Sequence, residues 1–232
     1  MKQIITSNAI LQTLNFHKNR FNAQFVCVFD LDDTIFDTSY RRFYIYGKFL
    51  QKQYHLPALS LYIHKNHYNF ITLIENTHNF QENRSDIVET FYNLFLSDSF
   101  LDLDKPFPGV RTFLNFLHIL RIPVIFLTGR LKSAMRISTY ESLRKYGLIS
   151  PSFKQEFLVM KKNTKKADFE FKKRELKRIR AVFPESRLAI FDNESKNCSV
   201  FSETYQDTIV VKFNSVQKVN RPYNGLLLNH WA

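Results

Sequence analysis

At 232 residues the chain is long enough for one α/β domain with an insertion, or for two small domains, and its 44% apolar content is that of an ordinary globular protein with a sizeable core. Two cysteines, Cys27 and Cys198, do not make a disulfide framework, and no uncharged apolar run reaches the ~20 residues of a transmembrane helix. The formal charge of +12 points to anionic partners.

In chain order, residues 5 to 20 carry the pattern of a short leading helix. Phe25 to Phe29 is an apolar, β-favouring run. Three segments follow with apolar residues at helical spacing, 40 to 54, 60 to 77 and 84 to 98, broken by Pro57 and by the polar run 79 to 85. This block of about 65 residues holds no convincing strand. After Phe107-Pro108-Gly109-Val110 a helix is expected through Arg111 to Leu120, then a strand from Pro123 to Leu127. A helix over 132 to 146 should end at Gly147, in the position of a C-cap. Phe157 to Met160 reads as a strand, about Asp168 to Val182 as a basic helix, and Leu188 to Phe191 and Thr208 to Phe213 as two further strands. The tail from Asn214 to Ala232 reads as irregular. Strands alternating with helices, and apolar enough to be buried on both faces, predict a parallel sheet between helical layers. Right-handed crossovers then bring Asp30, Thr128 and Asp192 to one carboxyl edge, where open α/β sheets bind ligands.

The residues at that edge suggest a chemistry. Phe25-Val-Cys-Val-Phe-Asp30-Leu-Asp32-Asp33-Thr34 ends a strand in three carboxylates within four positions. Like charges so close are unfavourable unless a cation sits among them. Mg²⁺ suits, because it takes oxygen ligands and usually arrives with substrate phosphate. The pattern Asp30-Leu-Asp32-Asp33-Thr34 resembles the first motif of the haloacid dehalogenase (HAD) superfamily. Leu127-Thr128-Gly129, Phe171-Lys172-Lys173-Arg174-Glu175-Leu176 and Phe191-Asp192-Asn193-Glu194 are similar to its second, third and fourth motifs, in order, across roughly residues 24 to 212. The resemblance implies a three-layer, Rossmann-like α/β core of residues 1–37 and 106–232, with an α-helical cap inserted at 38–105. It implies Asp30 as nucleophile and Asp32 as general acid, protonated for that task, then base. It implies Mg²⁺ held by Asp30, the Asp32 main-chain carbonyl and Asp192. Phosphate oxygens would be held by Thr128, the Gly129 amide and Lys172, with Lys173, Lys165 and Lys166 as competitors for the lysine's role. Asp33 and Asp37 are expected to cap turns. Where many members carry a second acid, this chain has Asn193 and Lys196, and Glu194 is the candidate replacement.

These residues lead to a Mg²⁺-dependent phosphomonoester hydrolase using an aspartyl-phosphate, with phosphotyrosine in proteins as the leading substrate. A small-metabolite or nucleotide phosphatase, a nucleic-acid end-processing phosphatase and a non-catalytic binding module are the alternatives. Residues 151 to 187 hold twelve Lys or Arg against five acids. That basic face is a candidate contact for an anionic membrane surface or nucleic acid. A solvated helix face is the structural reading of the same charges. The first residues, Met-Lys-Gln-Ile-Ile-Thr-Ser, lack the apolar core of a signal peptide, and the thiols suit a reducing cytosol. Richness in Phe, Asn, Lys and Ile resembles proteins of AT-rich intracellular bacteria. Some of their secreted effectors are HAD-type protein tyrosine phosphatases, which makes delivery into a host cell a further expectation.

Overall fold

The structure is a computed structural model that describes residues 3–21, 24–67, 70–150, 154, 157–165, 167–205, 207–217 and 222–231. Its chain order begins β1 (Gln3–Ile5), α1 (Ser7–Phe21) and β2 (Gln24–Phe29). A two-residue strand, β3 (Phe36–Asp37), precedes the helices α2 (Ser39–Ile45), α3 (Leu61–Asn66), α4 (Ile71–Ile74), α5 (His78–Glu82) and α6 (Arg84–Phe95). Then come β4 (Lys105–Pro106), α7 (Val110–Ile119), β5 (Val124–Leu131), α8 (Lys132–Lys145), β6 (Leu158–Lys161) and α9 (Asp168–Val182). The chain closes with β7 (Ser186–Asp192), α10 (Ser195–Thr204), β8 (Ile209–Phe213) and β9 (Leu226–Leu228).

Among the described residues seven strands form one parallel sheet in the order β1-β9-β8-β7-β2-β5-β6. The period of two in each central strand divides its side chains between two cores. Phe25, Cys27 and Phe29 of β2, Phe126 of β5, and Ala189 and Phe191 of β7 pack with α1, α7 and α8. Val26 and Val28, Ile125 and Leu127, and Leu188 and Ile190 pack with α9 and α10 on the other face. Both faces are covered, so these strands read as nearly continuous apolar runs. Burial pushes the Cys27 thiol far above the usual range, so it is a core side chain and not a nucleophile. The turn after α8 closes as expected, with Gly147 at φ 62°.

Between β3 and β4 the described chain is helical and has its own core, built on Ile45, Tyr46, Leu50, Phe70, Phe80, Phe91 and Phe95. The antiparallel β3–β4 pair ties together the two ends of this insertion. Helix α2 runs directly into a π-helix, Tyr46–Gln51. The polar run expected as a break contains α5, because Phe80 turns one side of it into the insertion's core. Among the described residues no helix is long and apolar enough to cross a membrane.

The tail corrects the sequence reading. Leu226–Leu228 is a strand between β8 and β1, too short to show a period of two. Beyond it Trp231 enters the main core, stacked on Phe213 at 5.3 Å and close to Phe113 and Phe191. Its indole N–H donates to the Thr34 carbonyl at 3.0 Å, so the tail braces the loop after β2. Trp231→Ala should therefore lower stability by about 3–5 kcal/mol, read from urea denaturation; a loss under about 1 kcal/mol would show that the tail is not docked.

His64 is enclosed in the insertion by Phe43, Tyr46 and Phe70, and neither ring nitrogen has a hydrogen-bond partner among the described residues. Burial, reinforced by Arg42, lowers its pKa to about 4. A depressed histidine pKa adds stability at pH above the unfolded value, and that stability is lost as pH falls through the folded one. About 2 kcal/mol should disappear between pH 7.5 and 5. His64→Phe should flatten that slope in urea titrations at the two pH values; an unchanged slope would assign acid sensitivity to other groups.

Candidate functional site

Strand β2 delivers Asp30 to the carboxyl edge, its N–H still donating to the Phe191 carbonyl of β7 at 2.9 Å. The chain then turns tightly. The Leu31 carbonyl accepts from the N–H groups of Thr34, Ile35 and Phe36, and Asp33 adopts φ 55°. Strand β7 ends at Asp192 beside it, and α9 presents Lys172 from its second turn. The Lys172 ammonium lies 2.8 Å from Asp30 Oδ1 and 2.8 Å from Asp192 Oδ2, with all three side chains buried. Lys172 is thus the lysine at the two acids. Lys165 and Lys173 are exposed side chains, and Lys166 lies outside the described residues.

Burial pushes Asp30 well above the usual carboxylate range, and Asp192 adds to this against the pull of Lys172. Burial alone would lower Lys172, but Asp192 and Asp30 outweigh it and hold the ammonium charged. The Asp192 carboxylate is held by further donors. Its Oδ1 accepts from Glu194 N–H at 2.8 Å, and both oxygens accept from Asn197 Nδ2 at 3.1 and 3.0 Å. Asn197 was not singled out in the sequence. It sits five residues after Asp192, on the first turn of α10, and its identity alone signals nothing.

Thr128 is fully buried, and its Oγ1 accepts from the Arg130 N–H at 3.2 Å, which leaves the hydroxyl proton free to donate. Gly129 lies on the cavity wall. A Cβ there would come within 3.1 Å of the Asp168 carboxylate, so a side chain at this position would have to push Asp168 aside.

Asp32 departs from the expectation. Its carboxylate accepts from Arg130 at 2.7 Å and from Arg41 at 3.0 Å. Burial opposes ionisation, but Arg130 and Arg41 outweigh it and hold its pKa at about 2. Asp32 is therefore an ionised acceptor here, not the protonated donor expected from the motif. The same two guanidiniums reach Asp104, at 2.7 Å from Arg130 and 3.1 Å from Arg41. Burial pushes Asp104 up to about 6 against their pull. Arg41 also donates to the Phe95 carbonyl at 3.1 Å and lies 4.0 Å from that ring's centroid. Arg41, Asp104 and Arg130 were invisible as a group in the sequence, because each comes from a different segment. Nearby, Asp33 accepts from Thr38 N–H at 3.2 Å and from Arg42 at 2.7 Å, and Asp37 accepts from Ser39 N–H at 2.9 Å. Both acids have the turn-capping roles expected of them.

Among the described residues no three His, Cys, Asp or Glu side chains lie close enough to hold a metal. The donor set nonetheless suits Mg²⁺, which needs only one or two carboxylates and completes its octahedron with water and phosphate. Asp30 Oδ2 makes no hydrogen bond with a described residue, while its Oδ1 is paired to Lys172.

These groups open into a cavity of about 520 Å³. Tyr92, Phe95 and Leu96 of the insertion form one side. Lys161, Lys165, Phe169 and Lys196 of the core lie on the wall with Gly129.

No protein-family model and no curated protein matches the chain. Solved structures do. A predicted phosphoglycolate phosphatase from Haemophilus somnus is similar at TM-score 0.59 and 11% identity, over 89% of this chain and 94% of that one. A haloacid dehalogenase-like hydrolase from Streptococcus pneumoniae is similar at TM-score 0.57 and 13% identity, over 89% and 94%. A HAD-superfamily hydrolase of subfamily IA from Geobacter sulfurreducens is similar at TM-score 0.54 and 15% identity, over 90% and 93%. The chain has the HAD fold: a parallel sheet between helical layers, as the motif order implied.

Removing Lys172 tests the charge balance. Lys172→Met should cost about 3–5 kcal/mol at pH 7.5 by leaving Asp30 and Asp192 face to face. The loss should shrink toward lower pH, because Asp30, already raised by burial, then takes a proton in the folded state. A pH-independent loss in urea denaturation would mean that Lys172 matters only for packing.

Proposed function

We propose that this chain is a phosphomonoester hydrolase working through an aspartyl-phosphate on Asp30. The observation that carries the reading is the Lys172 ammonium between Asp30 and Asp192, at the sheet edge that also carries Thr128. Phosphoryl transfer needs a nucleophile and fixed positive charge around the equatorial oxygens, and little other covalent chemistry from the protein. Both are present. Residues 38–105 act as a cap over the reacting groups.

In the first half-reaction a carboxylate oxygen of Asp30 attacks phosphorus. The bond to the leaving oxygen breaks, and that oxygen departs with the electron pair. Lys172 offsets charge on Asp30 and the phosphoryl group, and the Thr128 hydroxyl and Gly129 N–H donate to phosphoryl oxygens. Mg²⁺ bound by Asp30, the Asp32 carbonyl and Asp192 would screen the nucleophile from the anionic substrate. In the second half-reaction water attacks phosphorus, its proton passes to the ionised Asp32, and Asp30 is regenerated as phosphate leaves.

The preferred substrates are aryl phosphates, with phosphotyrosine in proteins foremost. Tyr92, Phe95 and Phe169 offer aromatic surface to a phenyl ring, worth on the order of 1.5–3 kcal/mol when such a side chain is buried. The Asp32 oxygens are already taken up by Arg41 and Arg130, which favours a leaving group that needs little protonation. A small phosphorylated metabolite is the second reading, supported by the covering of the cavity by Tyr92, Phe95 and Leu96.

Asp30→Asn should lower turnover of phosphotyrosine peptides by roughly 10³-fold or more without altering the fold. Retention of more than a few per cent of activity would remove the aspartyl-phosphate mechanism. Excess EDTA should abolish turnover and added Mg²⁺ restore it; rates indifferent to both would exclude metal dependence. Phosphotyrosine peptides should exceed phosphoserine peptides in kcat/KM. Better turnover of sugar phosphates at low concentration would select the metabolite reading.

A further inference from the structure

The cavity holds more positive charge than phosphoryl transfer uses. Among the described residues five cations line it: Arg130, Lys161, Lys165, Lys172 and Lys196. Three are tied to carboxylates in the same wall. Arg130 pairs with Asp32 at 2.7 Å, Lys172 with Asp30 at 2.8 Å, and Lys161 with Asp168 at 2.6 Å. Lys196 instead places its ammonium over the face of Phe169, 3.7 Å from the ring centroid. Lys165 stands on the loop between β6 and α9, exposed at the same wall. The remaining acid, Glu194, is itself engaged. These two lysines and the ring belong to the core, whereas Tyr92, Phe95 and Leu96 of the same cavity belong to the insertion.

We infer that Lys165 and Lys196, the latter stacked on Phe169, form a second anion site that binds a carboxylate on the leaving-group half of the substrate. The inference rests on the phosphatase reading above. A leaving group against Phe169 has its ring substituents within the same cavity as Lys165 and Lys196. A cation already stacked on a ring is held in a defined position, and a concave wall limits its screening by solvent. A carboxylate there meets two positive charges that make no ion pair with another described residue, whereas a neutral substituent gains nothing. The cavity thus selects aryl phosphates with a second, acidic group over neutral ones.

The test compares 4-(carboxymethyl)phenyl phosphate with its neutral amide, a pair matched in shape and leaving oxygen, using the full chain with Mg²⁺. The carboxylate should have the higher kcat/KM by about tenfold, through KM, and the ratio should fall as ionic strength rises. In the Lys165→Ala/Lys196→Ala double variant the ratio should approach one, and in Lys196→Glu it should fall below one. Circular dichroism confirms that each variant is folded. A wild-type ratio near one, with both compounds turned over, overturns the second site and leaves the phosphatase reading standing. A ratio unchanged in the variants overturns the assignment to these lysines. No turnover of either compound, with phosphotyrosine peptides also inert, overturns the phosphatase reading and the substrate site together.

Discussion

Carboxylates crowd the edge of this sheet, and cations from other elements are what let them stay there. Asp30, Asp32, Asp33, Asp104 and Asp192 are all largely withdrawn from water in the folded chain. A buried carboxylate without a partner would take a proton or destabilise the fold. Lys172 reaches between two of them, Arg41 and Arg130 each span Asp32 and Asp104, and Arg42 closes on Asp33. The result is two adjoining charge clusters. One contains a single ammonium between two acids. The other is balanced internally by two guanidiniums and two acids.

That second cluster also joins the insertion to the core. Arg41 stands on the first segment leading into the insertion and Asp104 on the segment leading out, while Asp32 and Arg130 belong to the sheet edge. Arg41 further grips the end of α6 through the Phe95 carbonyl and ring. Any movement of the insertion relative to the core must therefore change the surroundings of Asp32. Covering the cavity and setting the charge on Asp32 are two aspects of one set of contacts. Buried ion pairs of this kind contribute little net stability but hold specific geometry, which is their value at a site of reaction.

The far side of the same loop is held differently. Trp231 and Ser215, both from the tail, reach the carbonyls of Thr34 and Asp33. The turn that follows Asp30 is thus fixed by apolar packing behind and by charge in front. A tight turn with Asp33 at positive φ is strained for a residue bearing a Cβ, and such a turn persists only where its surroundings over-determine it.

The sequence by itself determined the central strands, the helix that carries Lys172, and the meeting of Asp30, Thr128 and Asp192 at one edge. Periodicity and strand-end chemistry are local signals, and the handedness of crossovers does the rest. The motif resemblance favoured Lys172 but left Lys173, Lys165 and Lys166 as competitors, and only the packing of α9 against the sheet edge put the Lys172 ammonium between the two acids. Tertiary structure alone decided the charge on Asp32, because Arg41 and Arg130 stand 9 and 98 residues away from it. It decided that Asn197 completes the shell of Asp192, and that a tail without periodicity supplies a strand and a tryptophan to the core. Three-residue strands and long-range ion pairs leave no pattern along a chain. They arise only when the sheet has brought distant segments within a few ångströms, where the energy of a buried charge depends on which partner happens to face it.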